Sequence, residues 1–100
     1  MQSHYLELDF DGHIDNEALT RVMGTHLWED TGMEIMRCKG KYSGADSDGS
    51  KGTFMLQGVA DLFELRHVKA EEAPKGGKFL FVGRGIDAEK LKEEIKQCIK

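Results

Sequence analysis

Met33-Glu34-Ile35-Met36-Arg37-Cys38-Lys39-Gly40-Lys41-Tyr42 and Thr53-Phe54-Met55-Leu56-Gln57-Gly58-Val59-Ala60-Asp61-Leu62-Phe63-Glu64-Leu65 are two strand-like segments separated by ten turn formers, Ser43-Gly44-Ala45-Asp46-Ser47-Asp48-Gly49-Ser50-Lys51-Gly52. In the first segment, side chains alternate across the pleat. Met36, Cys38 and Tyr42 are expected on one face, and Ile35, Arg37, Lys39 and Lys41 on the other. Residues 43–52 read as a flexible hairpin loop. Residues 53–65 read as one long, more apolar strand in which Gly58 marks a bulge or a bend. Two strands joined by a short polar loop favour antiparallel pairing, and this hairpin sets the character of the sheet.

The pattern extends outward in both directions. Upstream, His4, Leu6, Leu8 and Phe10 alternate with Tyr5, Glu7 and Asp9, the period of a half-buried strand, and Asp11-Gly12 ends it. Asp15 stands at a helix N-cap position with Glu17 in the first turn. Leu19, Val22, Met23, His26 and Leu27 then recur at helical spacing. Gly24 weakens that helix, which points to close packing there against another element. Thr31-Gly32 is expected to close it.

Downstream, residues 66–77 read as a polar loop holding Pro74, the only proline. Lys78-Phe79-Leu80-Phe81-Val82 reads as a central strand. Gly83-Arg84-Gly85 turns the chain into a helix capped by Asp87, with Ala88, Leu91, Ile95, Cys98 and Ile99 as its apolar stripe. The predicted order is strand-helix-strand-strand-strand-helix over a single domain, residues 1–100. The expected class is α+β: a two-layer sandwich whose mostly antiparallel sheet of about four strands carries two helices on one face.

Composition bounds the function. One hundred residues allow one core. A net charge of −4 argues against nonspecific nucleic-acid or anionic-membrane partners, which are themselves negative. No apolar run reaches the roughly 20 residues of a membrane span. Met1-Gln2-Ser3-His4-Tyr5 lacks the basic and apolar regions of a signal peptide. A cytoplasmic location follows as the expectation. The two cysteines, Cys38 and Cys98, match no zinc spacing; one disulfide is arithmetically possible, and a reduced pair of small buried hydrophobes is the preferred reading.

Several motifs invite chemistry and fall short of it. Gly83-x-Gly85-x-x-Ala88 has the outline of a dinucleotide fingerprint, without a following parallel strand or an acidic residue about 20 positions on. Arg84 beside a helix N-terminus could hold an anion, although Asp87 is placed to occupy that pole. Asp46-x-Asp48-x-Ser50 begins like a calcium loop, but Lys51 and Gln57 stand where Gly and Glu are required. His4, His13, His26 and His67 share no ligand spacing. A metal site gathered in space from His4, His26, Cys38 or Cys98 stays open as an alternative. No set of residues reads as catalytic. Arg37 and Lys39, with Gln57 beside them, form either a solvated sheet face or a docking surface for another domain or protein.

Three segments resemble the C-terminal domain of the CobW family of metal-chaperone GTPases. Met33 to Gly40 is similar to that family's Arg-x-Lys-Gly strand. Leu56-Gln57-Gly58-Val59-Ala60-Asp61-Leu62-Phe63 is similar to its Gln-Gly-Val-His segment. Phe79 to Asp87 resembles its closing strand, Gly-Arg turn and acidic helix cap. The three stand in family order and the likeness covers nearly the whole chain. Ala60 occupies a position where many members carry His, and a tryptophan often found between Arg66 and Gly77 is absent. The resemblance implies a parent protein with an N-terminal GTPase domain that uses GTP and magnesium and delivers zinc or cobalt to a client. This sequence contains no Gly-x-x-x-x-Gly-Lys-Ser/Thr and no Cys-x-Cys-Cys. The implied role is non-catalytic: a regulatory or partner-recognition domain with no cofactor of its own. Its expected partners are the GTPase domain and the client, with Arg37, Lys39, Gln57 and Arg84 as contact candidates.

Overall fold

A computed structural model describes residues 2–29, 32–68 and 75–100. Among these residues, six strands and two helices follow one another as β1 (Gln2–Leu8), β2 (Ile14–Asp15), α1 (Asn16–Trp28), β3 (Glu34–Ala45), β4 (Lys51–Val59), β5 (Leu62–His67), β6 (Gly77–Arg84) and α2 (Ala88–Lys96). The sheet order is β1-β6-β3-β4-β5, with every neighbouring pair antiparallel, and β2 adds a two-residue parallel pairing to the end of β3. The α+β class and the mostly antiparallel sheet are as expected. So is the central position of the strand containing Phe79 and Phe81.

Alternation builds the core. Leu6 and Leu8 of β1, Phe79 and Phe81 of β6, Ile35, Cys38 and Tyr42 of β3, and Phe54 and Leu56 of β4 all face the helices. Leu19 and Met23 of α1 and Leu91 and Ile95 of α2 meet them from the other layer. Each such aliphatic or aromatic side chain, fully withdrawn from water, contributes about 1.5–3 kcal/mol. Tyr42 lies between Phe54 and Phe79, with ring centroids 6.1 and 5.6 Å away. Both helix starts carry the expected aspartate. Asp15 accepts from the amide of Glu17, and Asp87 from that of Lys90.

The structure corrects the sequence reading in several places. The long third strand is in fact two: Val59 pairs with Leu62 across the two-residue turn Ala60-Asp61, which raises the strand count. Ala60 is the one non-glycine residue at positive φ among the described residues, at 56°. Gly58 marks no bend, because it pairs regularly with Cys38 and Phe63. A Cβ there would meet Cys38 Sγ at 2.6 Å, so close approach explains the glycine.

The flexible loop 43–52 shrinks to residues 46–50. Pairing continues through Gly44–Gly52 and Ala45–Lys51. Asp46 closes the remainder, its amide donating to Ser50 O and its carbonyl accepting from Gly49. Arg66 and His67 likewise belong to β5 instead of the predicted 66–77 loop. Thr31 and the loop's residues 69–74, including Pro74, lie outside the described residues.

In β3, the register shifts between Ile35 and Arg37. A bulge adds one residue and reverses the alternation locally. Ile35 therefore joins Cys38 in the core, while Met36 turns outward to 36% exposure, the reverse of the expectation for both. Arg37, Lys39 and Lys41 keep their predicted outward face. Finally, Gly24 is close-packed against its own helix: a Cβ there would lie 3.0 Å from the ring of Trp28, one turn on.

Candidate docking surface

Both helices pack on the same face of the sheet, and no described helix covers the opposite face. Register places its residues in rows. Ser3, Val82, Arg37, Val59 and Leu62 cross the five long strands in one row. Tyr5, Leu80, Lys39, Gln57 and Glu64 make the next, and Glu7, Lys78, Lys41, Met55 and Arg66 the third. Arg84 lies one step beyond, on the same face and opposite Glu34. All four contact candidates, Arg37, Lys39, Gln57 and Arg84, thus share one exposed surface, and Lys39 and Gln57 are direct cross-strand neighbours.

The chemistry of this face is uneven. Six cations (Arg37, Lys39, Lys41, Arg66, Lys78 and Arg84) meet three carboxylates (Glu7, Glu34 and Glu64), on a chain whose net charge is −4. Arg66 is paired with Glu64 at 3.5 Å. Arg37, Lys39, Lys41, Lys78 and Arg84 form no ion pair with any described residue. Lys41 stands directly opposite Lys78, a like-charge pair that weakens a sheet. Large apolar side chains are exposed among the cations: Leu62 at 75%, Tyr5 at 58%, Val59 at 55% and Leu80 at 41%.

A groove of about 850 Å³ continues from this face around the bulge, between the end of α1 and the β4–β5 turn. Leu27, Met33, Met36, Val59 and Ala60 line it, with Arg37 at its junction with the sheet. Sequence reading missed this groove, because it depends on the bulge and on the Ala60-Asp61 turn, neither of which carries a glycine signature.

His26 and the two cysteines are absorbed by the fold. His26 is buried, its Nε2 lying 3.1 Å from both carboxylate oxygens of Glu94 on α2, so this histidine joins the two helices. Cys38 and Cys98 are free thiols, both buried. Burial pushes Cys38 up to about 11, and burial also raises Cys98, which keeps both thiols protonated at neutral pH. Among the described residues no three His, Cys, Asp or Glu side chains gather as metal ligands. The α2 N-terminus beside Arg84 is filled by the Asp87 carboxylate. No helix among the described residues is long and apolar enough to cross a membrane.

The crystal structure of the Zn(II)-bound YjiA GTPase from E. coli is similar to this chain, with a TM-score of 0.72 and 25% sequence identity. A Zn(II)-bound triple mutant of YjiA GTPase matches with a TM-score of 0.70 and 24% identity. Each match covers 99% of this chain but 30% of the YjiA chain, so the similarity is confined to about a third of those proteins. The family model described as the cobalamin synthesis protein cobW C-terminal domain matches residues 3–99. With its sheet, its two capped helices and its three sequence segments all in place, the chain belongs to the cobW C-terminal domain family.

Proposed function

We propose that this chain is the non-catalytic partner-recognition domain of a GTP-dependent zinc or cobalt metallochaperone, docking through the open face of its sheet onto the GTPase domain or the metal-receiving client. One observation carries this reading. The face left bare by both helices combines cations that have no ion-pair partner among the described residues with large exposed apolar side chains, a mixture that suits interfaces between domains. A merely solvated face has no need of Leu62, Val59 and Tyr5 at such exposure.

In this reading GTP, magnesium and the transported metal belong to the GTPase half. The residues here do not fit a nucleotide, since no phosphate-cradling loop occurs in the sequence and Asp87 fills the α2 N-terminus. The test is titration of the parent's GTPase domain, and separately of the client, with the wild-type chain and with Arg37→Ala/Lys39→Ala. Removing exposed side chains should change stability by no more than about 0.5 kcal/mol. Affinity should fall, through slower encounter where the contacts lie at a rim or faster release where they are buried. Unchanged affinity for both partners, with an unchanged melting temperature, sinks the proposal.

A further inference from the structure

We infer that the element seated on the open sheet face is an acidic amphipathic helix of the partner, lying along β3. This rests on the docking reading above and specifies what the surface accepts. The geometry starts from the cation column. Arg37, Lys39 and Lys41 are alternate residues of β3, so their attachment points repeat at about 6.6–6.8 Å. Residues four apart on an α-helix repeat at about 6.0 Å along its axis. Along the axis, carboxylates at i, i+4 and i+8 of a helix aligned with β3 therefore keep step with the cations to within about 1 Å, while each step also turns about 40° around the helix. The flexible Lys and Arg stems absorb that difference.

The flanks fit the same shape. Leu80 and Val82 on β6 and Met55 and Val59 on β4 border the column on either side. The two bordering strands stand about 9.6 Å apart, close to the 10–12 Å diameter of a helix with its side chains. One helix can thus set a central row of carboxylates on the cations and an apolar edge on each flank. A single partner strand presents one line of side chains and reaches only one column. Charge points the same way. Three cations in file, with Lys78 opposite Lys41, repel one another in the free chain, and carboxylates would relieve that repulsion.

The test uses fluorescein-labelled synthetic helical peptides titrated with the full chain at low ionic strength. One peptide carries Glu at i, i+4 and i+8 with Leu on both sides of that row. A second has the same composition scrambled, a third has Lys for Glu, and a fourth has a central Pro. The in-register peptide should bind at least about tenfold tighter than the other three, as close opposite charges and a preformed shape require. Lys39→Glu should abolish that preference, and Lys39→Gln should reduce it, with a thermal melt confirming that each variant is folded. Equal binding of in-register and scrambled peptides overturns the inference, as does tighter binding of the Pro peptide, which would indicate an extended occupant. The two ideas fail separately. If the GTPase domain or client binds through Arg37 and Lys39 while the in-register peptide shows no preference, the helix is wrong and the docking reading stands. If neither partner protein binds, the docking reading itself fails.

Discussion

The indole N–H of Trp28 donates to the carbonyl of Asp61 at 2.7 Å, joining the last turn of α1 to the turn between β4 and β5. The same ring lies 5.6 Å from that of Phe63 and folds back over Gly24. Although Trp28 is largely exposed, it therefore holds one wall of the groove to the other. Trp28→Ala should cost about 2 kcal/mol, combining a hydrogen bond near 1 kcal/mol with an aromatic pair of about 0.5–1.5 kcal/mol. Trp28→Phe should retain the ring contacts and lose only the bond. The glycine provides a coupled check. Gly24→Ala should stabilise by up to about 1 kcal/mol in the Trp28→Ala background and by less in the wild type, where the new methyl crowds the ring. Urea unfolding of the four proteins measures the coupling, and strictly additive effects would show that the ring does not rest on Gly24.

Ala60 holds a φ of 56° at the first position of a two-residue hairpin turn, a conformation that suits glycine far better than an L-residue. Its side chain is exposed at the groove rim, so substitution there disturbs little packing. Ala60→Gly should raise stability by about 0.5–1 kcal/mol, and Ala60→Val should lower it, because a β-branched side chain tolerates positive φ least. A melting temperature unchanged in both variants would mean that the turn relaxes at no cost.

Beneath the sheet end, Tyr42 donates its hydroxyl to Asn16 Oδ1 at 2.7 Å, and Asn16 Nδ2 donates to Asp46 Oδ1 at 2.6 Å. This chain links β3, the first residue of α1 and the hairpin loop. Burial raises the Tyr42 phenol well above its ordinary range, so it remains a donor. Asn16→Ala strands a buried hydroxyl and should cost about 2–3 kcal/mol. Tyr42→Phe removes the hydroxyl itself and should cost about 1 kcal/mol. If the two substitutions prove equally mild, the bond is replaceable by water. Amide exchange in residues 46–50 should accelerate in Asn16→Ala, since the loop loses its tether.

Regular patterning made the sheet, both caps and the two helix stripes readable in the sequence. Leu6 and Leu8, or Leu91 and Ile95, report burial through spacing alone. The open-face candidates were readable for the same reason, because Arg37, Lys39 and Gln57 obey the strand period. The losses occur where that period breaks. A bulge beside Met36 exchanges it with Ile35, and nothing in Glu34-Ile35-Met36-Arg37 announces it. The Ala60-Asp61 turn lacks Gly or Asn, so two strands read as one. His26 with Glu94, and Trp28 with Asp61, are contacts across 68 and 33 residues that only the assembled fold creates. The groove is made from these long-range features, and so it was invisible where the flat face was not.

The final prediction concerns acid. Asp15 accepts from Lys100 Nζ at 2.9 Å through one oxygen and from the Glu17 amide through the other. The Lys100 hydrogen bond, aided by the amide and opposed by partial burial, holds the Asp15 carboxyl below its ordinary range. As pH falls, the unfolded chain therefore takes up this proton first, near the usual aspartate value of about 3.9. The folded chain resists until its own lower pKa is reached. Asp15 thus contributes stability in full above about pH 5, progressively less as pH falls through the folded pKa, and none below it. Asp15→Asn is the informative variant, because asparagine caps a helix as well as aspartate while carrying no charge. The wild type should be the more stable of the two at pH 7, with the difference constant down to about pH 5 and closing below that. Lys100→Ala should remove most of the same difference at pH 7, and added salt should narrow it, because the ammonium is exposed. Urea denaturation of the three proteins from pH 7 to pH 2 reads each outcome. A wild-type advantage that persists undiminished at pH 2 would show that Asp15 acts through its shape as a cap and not through its charge.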